Sequence, residues 1–219
     1  MTRIALIADS EVEPELKAWL ESINDIKLSA SDPDILMDLR FLEQVSHIDK
    51  AIKAPVVITS LLTSAVTSRT NFYPVGTKVI GAAILPLLVS NQKVIECAIP
   101  FGSQISQDEV RNVFAKLGKE VEVIGDAIGG VFPRTIAMII NEAAFALQEN
   151  VASASDIDAA MKLGTNYPVG PLALCDEIGA NTVIAILEAL SREFGADRYR
   201  PAPLLRRYAE ANLQFNPAK

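Results

Sequence analysis

Short apolar runs alternate with amphipathic stretches over the first 125 residues. RIALIA (3–8) reads as a buried strand: it is short, apolar and lacks a helical period. PELKAWLESI (14–23) reads as a helix, with Pro14 tolerated in its first turn. IKLSA and DILMDL (34–39) read as strands on either side of the turn signal Ser31-Asp32-Pro33. FLEQVSHIDKAI (41–52) has helical spacing, and APVVITS (54–60) and TKVIGAAIL (77–85) are strands. KVIECAI (93–99) and EVEVI (120–124) are strands around the helix SQDEVRNVFAKLG. Strands alternating with helices predict a mostly parallel, doubly wound sheet.

The pattern changes near Gly125, and from Gly130 onward every apolar stretch has helical spacing. VFPRTIAMIINEAAFALQENV (131–151) is apolar on nearly every side, which predicts burial all round, in a core or across a subunit interface. SDIDAAMKLG is expected to start at Ser155, carry Asp156 and Asp158 in its first turn and stop at Gly164. PLALCDEIG and ANTVIAILEALSREFG each close on a glycine, and PAPLLRRYAEAN ends the fold. The expected division is 1–125 and 126–219, with no linker between.

Composition narrows the chemistry. The chain has 219 residues and a net charge of −7, against a concentrated basic face for nucleic acid. The N-terminal run is too short for a membrane span and lacks the form of a signal peptide, and the longest apolar run, VIGAAILPLLV, is broken by a proline. No membrane association is expected. The 2 cysteines, Cys97 and Cys175, form no Cys-x-x-Cys pair and sit in apolar runs, as small core residues do. A cytoplasmic location fits them. The 1 histidine, His47, makes no His-x-x-x-His zinc pattern and reads as a surface helix residue, so no metal is expected. All 11 glycines lie at Gly76 or later.

AMKLGTNYPVGPLALCDEIG (160–179), with NEAAFALQENVASASDID (141–158) before it and RYRPAPLLRRYAEA (198–211) after it, resembles the C-terminal helical domain of the 3-hydroxyacyl-CoA dehydrogenases. The likeness covers residues 126 to about 212 as a long ordered string. The first half resembles the family more faintly. ITSLL (58–62) is similar to its Thr-Ser segment, VIGAAIL (79–85) to its Gly-x-His segment, VIEC (94–97) to its Val-Glu segment and DAIGGVFPR (126–134) to its Asp-Gly-Asn-Arg frame.

The resemblance implies an α/β plus all-α fold: a truncated Rossmann-like parallel sheet domain followed by an all-helical dimerisation domain. It implies a homodimer through the helical part and an acyl-CoA ligand. It also implies site residues: Glu96 and Ser60 as catalytic positions, Thr63 and Arg134 as substrate-binding positions. Two family groups are replaced, because Ala83 stands where the histidine is expected and Pro133 where the asparagine is expected. The family uses NAD, but Ala8-Asp9-Ser10-Glu11-Val12-Glu13 has no glycine and three acids where the pyrophosphate turn should be. No cofactor-binding residue and no cofactor are therefore expected.

Plainer readings stand beside these. Glu96 is also what a solvated strand end looks like, and Ser60 and Thr63 are ordinary capping residues. Gly129-Gly130 reads as a junction turn. Arg206-Arg207 reads as a solvated pair, with a CoA phosphate as the alternative. The expected function is a 3-hydroxyacyl-CoA dehydrogenase-like protein of acyl-CoA metabolism with lost or altered dehydrogenase activity. The alternatives are an active oxidoreductase that uses other residues, and a non-catalytic dimerisation partner of an active paralogue.

Overall fold

The computed structural model describes residues 1–42 and 52–216. The chain divides into two compact units, Met1–Val131 and Phe132–Lys219. The division falls later than 125/126 because the turn between is fastened to the first unit. Asp126 accepts the N–H groups of Val66 (2.6 Å) and Thr67 (2.8 Å), and the Gly129 N–H donates to the Leu61 carbonyl at 2.8 Å.

The first unit is a seven-stranded sheet in the order β2-β1-β3-β4-β5-β6-β7. The strands are β1 (Thr2–Ile7), β2 (Ile26–Leu28), β3 (Ile35–Asp38), β4 (Val56–Ser60), β5 (Lys78–Ala82), β6 (Val94–Ala98) and β7 (Glu120–Ile124). Every pairing is parallel except β5 with β6, where Gly81 faces Ala98 and Ala82 faces Cys97. The expected parallel sheet is thus borne out with one reversal. It is possible because the segment from β5 to β6 is short and holds a single 3₁₀ turn, Pro86–Leu88, not a crossover helix. β3 is buried at all four positions, as a central parallel strand should be.

Helix α1 (Glu13–Glu21) buries Leu16, Trp19 and Leu20, an i, i+3, i+4 stripe, against this sheet. Lys119 covers the indole from 5.3 Å and donates to the Gln92 carbonyl at 2.8 Å. Helix α2 (Val66–Arg69) is a short turn that the sequence pattern did not predict. Helix α3 (Gln107–Ala115) starts on a reciprocal cap: the Glu109 N–H donates to Ser106 Oγ (3.2 Å) and the Ser106 N–H to Glu109 Oε2 (2.9 Å). The helix expected over 41–52 falls largely outside the described residues, and so does His47.

The second unit is helical throughout: α4 (Phe132–Gln148), α5 (Ala154–Thr165), α6 (Pro171–Ile178), α7 (Ala180–Phe194) and α8 (Pro203–Glu210). α4 is not buried all round as its composition suggests. Ile136, Ala137, Ile140, Asn141, Ala143 and Ala144 are buried, while Met138, Ile139, Phe145 and Leu147 are half-buried. α5 starts at Ser153, not Ser155, because the Ser153 hydroxyl accepts the Asp156 N–H at 3.2 Å. It runs through Gly164 and stops at Asn166, whose φ of 56° is the left-handed turn that ends a helix. Asn141 bridges the segment before α8, donating to the Arg200 carbonyl (2.9 Å) and accepting the Ala202 N–H (2.7 Å). Asp158 accepts the Leu172 and Ala173 N–H groups at the start of α6.

Candidate functional site

A doubly wound sheet presents its ligand crevice where strand order reverses, beyond the carboxyl ends of the strands. Here that point lies between β1 and β3, since β2 flanks β1 on the other side. The loop after β1 brings in Asp9, which is 9% exposed. Its Oδ2 accepts the Phe41 N–H at 2.8 Å and the Leu42 N–H at 3.1 Å, joining the loop after β1 to the loop after β3. Its carbonyl accepts the Val12 and Glu13 N–H groups at 3.0 Å each. Pro14 follows and has no N–H.

A buried polar cluster sits beside this loop, and sequence reasoning missed it. Asp38, fully buried at the end of β3, takes the Arg40 guanidinium on both oxygens at 2.8 Å and the Tyr73 hydroxyl at 3.3 Å. That pairing raises the Arg40 pKa. Arg69, 4% exposed, donates to Ser64 Oγ (2.6 Å), Thr59 Oγ1 (2.8 Å) and the Arg40 carbonyl (2.8 Å). Burial lowers its pKa, and burial pushes the Tyr73 phenol upward. Asp38 ends an apolar strand, a position that could have drawn attention. Nothing in the local sequence marks Arg69.

The predicted site residues of the first unit fall into two places. Ser60 ends β4, is 2% exposed, and its Oγ accepts the Leu62 N–H at 3.3 Å. Thr63 donates its hydroxyl to the Phe41 carbonyl at 3.1 Å, so that hydroxyl hydrogen is committed to the loop after β3. Glu96 lies on β6 directly across from Ala83, whose N–H donates to the Glu96 carbonyl at 2.9 Å. The Glu96 carboxylate accepts the Val131 N–H at 2.6 Å. Gly130, at φ +61°, lies against it: a Cβ there would stand 2.4 Å from Glu96 Oε2 and 3.2 Å from Ala83 Cβ. The glycine pair expected as a junction turn is therefore also the lid on Glu96.

Arg134 belongs to the second unit. Its guanidinium lies 4.8 Å from the Phe194 ring and 5.4 Å from the Tyr199 ring, and it donates to the Tyr199 hydroxyl. Pro133 is buried in the first turn of α4 and offers no side-chain donor. Cys97 and Cys175 are buried free thiols, both pushed up by burial, Cys175 to about 12. Among the described residues no group of three or more His, Cys, Asp or Glu could hold a metal ion, and no described helix is long and apolar enough to cross a membrane.

The fold is a seven-stranded, mostly parallel sheet unit followed in the chain by an all-helical unit, and the comparisons with known proteins match it. Residues 129–215 match the C-terminal domain of the 3-hydroxyacyl-CoA dehydrogenases. Over this region the chain is similar to that family's helical domain. It is 52% identical over 92 residues to the 3-hydroxyadipyl-CoA dehydrogenase of Escherichia coli (strain K12), which is 42% of this chain and 19% of that protein. It is 42% identical over 113 residues to a probable 3-hydroxybutyryl-CoA dehydrogenase of Bacillus subtilis (strain 168), 50% of this chain and 39% of that one. The aligned part is thus less than half of either relative's length. The structure of a (S)-3-hydroxybutyryl-CoA dehydrogenase from Ralstonia eutropha superposes with a TM-score of 0.70 at 22% identity, over 97% of this chain and 95% of that one, a likeness of fold.

These findings correct one expectation. The matching relatives are dehydrogenases by name, so the expectation of no cofactor does not hold. The acidic turn was the basis of that expectation, and its observed geometry is unusual. The carbonyl of Asp9 takes the Val12 and Glu13 amides, which elsewhere would face a pyrophosphate, and Glu13 pairs with Lys17 at 2.5 Å. These residues do not form the usual pyrophosphate cradle.

Proposed function

We propose that the chain is an acyl-CoA-binding member of the 3-hydroxyacyl-CoA dehydrogenase family with altered dehydrogenase chemistry, and that it keeps NAD as its cofactor. The observation that carries this reading is the pairing of Glu96 with Ala83. Oxidising a secondary alcohol requires a group to take the hydroxyl proton. Ala83 has no titratable atom, and Gly130 packs where a larger side chain at 83 would extend. Glu96 is then the ionisable residue left at this point, tied to the Val131 N–H. Ser60 Oγ accepts from Leu62, and its own hydrogen is the one to orient an acyl carbonyl oxygen. Thr63 fixes the loop after β3.

The half-buried apolar side chains of α4, Met138, Ile139, Phe145 and Leu147, support a homodimer through the helical unit. Buried free thiols at Cys97 and Cys175 support a reducing, cytoplasmic location.

The test is NADH formation from 3-hydroxybutyryl-CoA at high enzyme concentration, with acetoacetyl-CoA binding measured separately. Binding is expected, with turnover about 10²–10⁴-fold below that of a site with a complete acid–base pair. Turnover at the rate of a complete site, lost in Glu96→Gln, would overturn the altered-chemistry reading.

A further inference from the structure

Three hydrogen-bond donors converge at one point of the helical unit, and no acceptor faces them. Arg134, in the first turn of α4, and Arg198, in the 3₁₀ turn Asp197–Tyr199, both donate a guanidinium N–H to the Tyr199 hydroxyl. A phenol oxygen has one hydrogen and two lone pairs. Both lone pairs are taken by cations, so the hydroxyl hydrogen is the third donor, and no acceptor receives it among the described residues. Neither arginine is ion-paired with a carboxylate among the described residues. Glu193 and Asp197, the acids nearest in sequence, are exposed.

The rings hold this arrangement in place. Arg198 lies 4.6 Å from the Tyr199 ring, Arg134 lies over both Tyr199 and Phe194, and the two rings sit 5.8 Å apart. Tyr199 is 1% exposed, while Phe194 keeps nearly half its surface in solvent. The local charge is also out of character for an acidic chain. Residues 192–207 carry Arg192, Arg198, Arg200, Arg206 and Arg207 against Glu193 and Asp197. Two cations drawn onto one neutral oxygen repel each other and lower that repulsion by binding an anion between them.

We propose that Arg134, Arg198 and Tyr199 form an oxyanion site that takes a phosphate group, with Phe194 as a platform for a base attached to it. The group is either free phosphate or the phosphate of a nucleotide ester such as CoA. The second source rests on the acyl-CoA reading above; the first does not.

The test is calorimetric titration of the full chain with inorganic phosphate at constant ionic strength. Saturable binding of one phosphate per chain is expected. Arg198→Ala, an exposed position, should weaken it by about 10-fold or more, the size of one lost charge-assisted hydrogen bond. Tyr199→Phe should weaken it as well, because the ring stays and the third donor goes. Arg207→Ala should leave it unchanged. Absence of phosphate binding, or an equal loss in Arg207→Ala and Arg198→Ala, overturns the site. CoA and dephospho-CoA then distinguish the source. Tighter binding of CoA, abolished by Arg198→Ala and reduced by Phe194→Ala, identifies the nucleotide ester. Equal binding of the two, with phosphate still held by Arg198, leaves free phosphate as the ligand. If 3-hydroxyacyl-CoA binds nowhere, the phosphate titration still stands or falls by itself.

Discussion

Replacing Asp9 by alanine tests whether the loop after β1 is tied to the loop after β3 by this one carboxylate. The Asp9 side chain is 9% exposed and accepts two N–H groups, from Phe41 and Leu42. Alanine leaves both donors without a partner. A buried donor left unpaired costs about 1–3 kcal/mol. The Phe41 bond is buried and bears the full cost, whereas Leu42 is partly exposed and recovers some of it from water. The sum is about 2–4 kcal/mol. For a unit of this size each kcal/mol lowers Tm by roughly 4 °C, so a fall on the order of 10 °C is expected. The assay is specific, because the chain's 1 tryptophan, Trp19, is buried in α1 and reports the first unit. Asp9→Asn keeps one acceptor oxygen and should lose roughly half as much. A loss under about 0.5 kcal/mol in Asp9→Ala, followed by Trp19 fluorescence in urea, refutes the reasoning, since that is the range of an ordinary surface substitution.

Gly130→Ala is expected to destabilise the first unit by about 2–4 kcal/mol, because alanine at positive φ costs about 1–2 kcal/mol and the new Cβ drives the Glu96 carboxylate off the Val131 N–H; urea unfolding checks it. Lys78, and then the Ser106 N–H, hold the Glu109 carboxyl down to about 2 from an ordinary 4.5. A lowered folded-state pKa stabilises above the unfolded value, so this contribution is present above about pH 4.5 and is lost as pH falls toward 2. Glu109→Gln should flatten the urea midpoint across that window, and an unchanged acid limb would exclude the pairing. Cys97 and Cys175 should react with a thiol reagent at pH 8 only on unfolding, because burial raises both pKa values; rapid labelling of native protein would contradict this.

Strand periodicity revealed the sheet because buried parallel strands must be continuously apolar, as DILMDL and APVVITS are. It missed the reversal between β5 and β6, because the direction of a strand leaves no mark on its own side chains. The start of α5 was misplaced because three serine and aspartate residues compete there for one capping role, and only geometry selects Ser153. The pairing of Ala83 with Glu96 was legible through family resemblance, since the two positions align with segments that meet across strands. The cluster of Asp38, Arg40, Arg69 and Tyr73 was not, because its members come from two stretches about thirty residues apart that only folding joins. The acidic, glycine-free first turn is visible in the sequence, but it does not license the absence of a cofactor. A turn shows how one familiar cradle is altered, and says nothing of how else a dinucleotide could be held.

The reversal in the sheet also sets where the first unit comes apart. β6, α3 and β7 form one parallel strand–helix–strand module, and their ladder with the rest of the sheet is short: Gly81 opposite Ala98, Ala82 opposite Cys97, and the Ala83 N–H on the Glu96 carbonyl. β4 and β5, by comparison, stay registered from Val56 with Lys78 to Ser60 with Ala82. Amide hydrogen exchange should therefore find two cooperative blocks in this unit, with the break along the β5–β6 line. Ala83 and Glu96 lie on opposite sides of that line, so the least protected joint of the sheet runs through the pair that the proposed chemistry depends on.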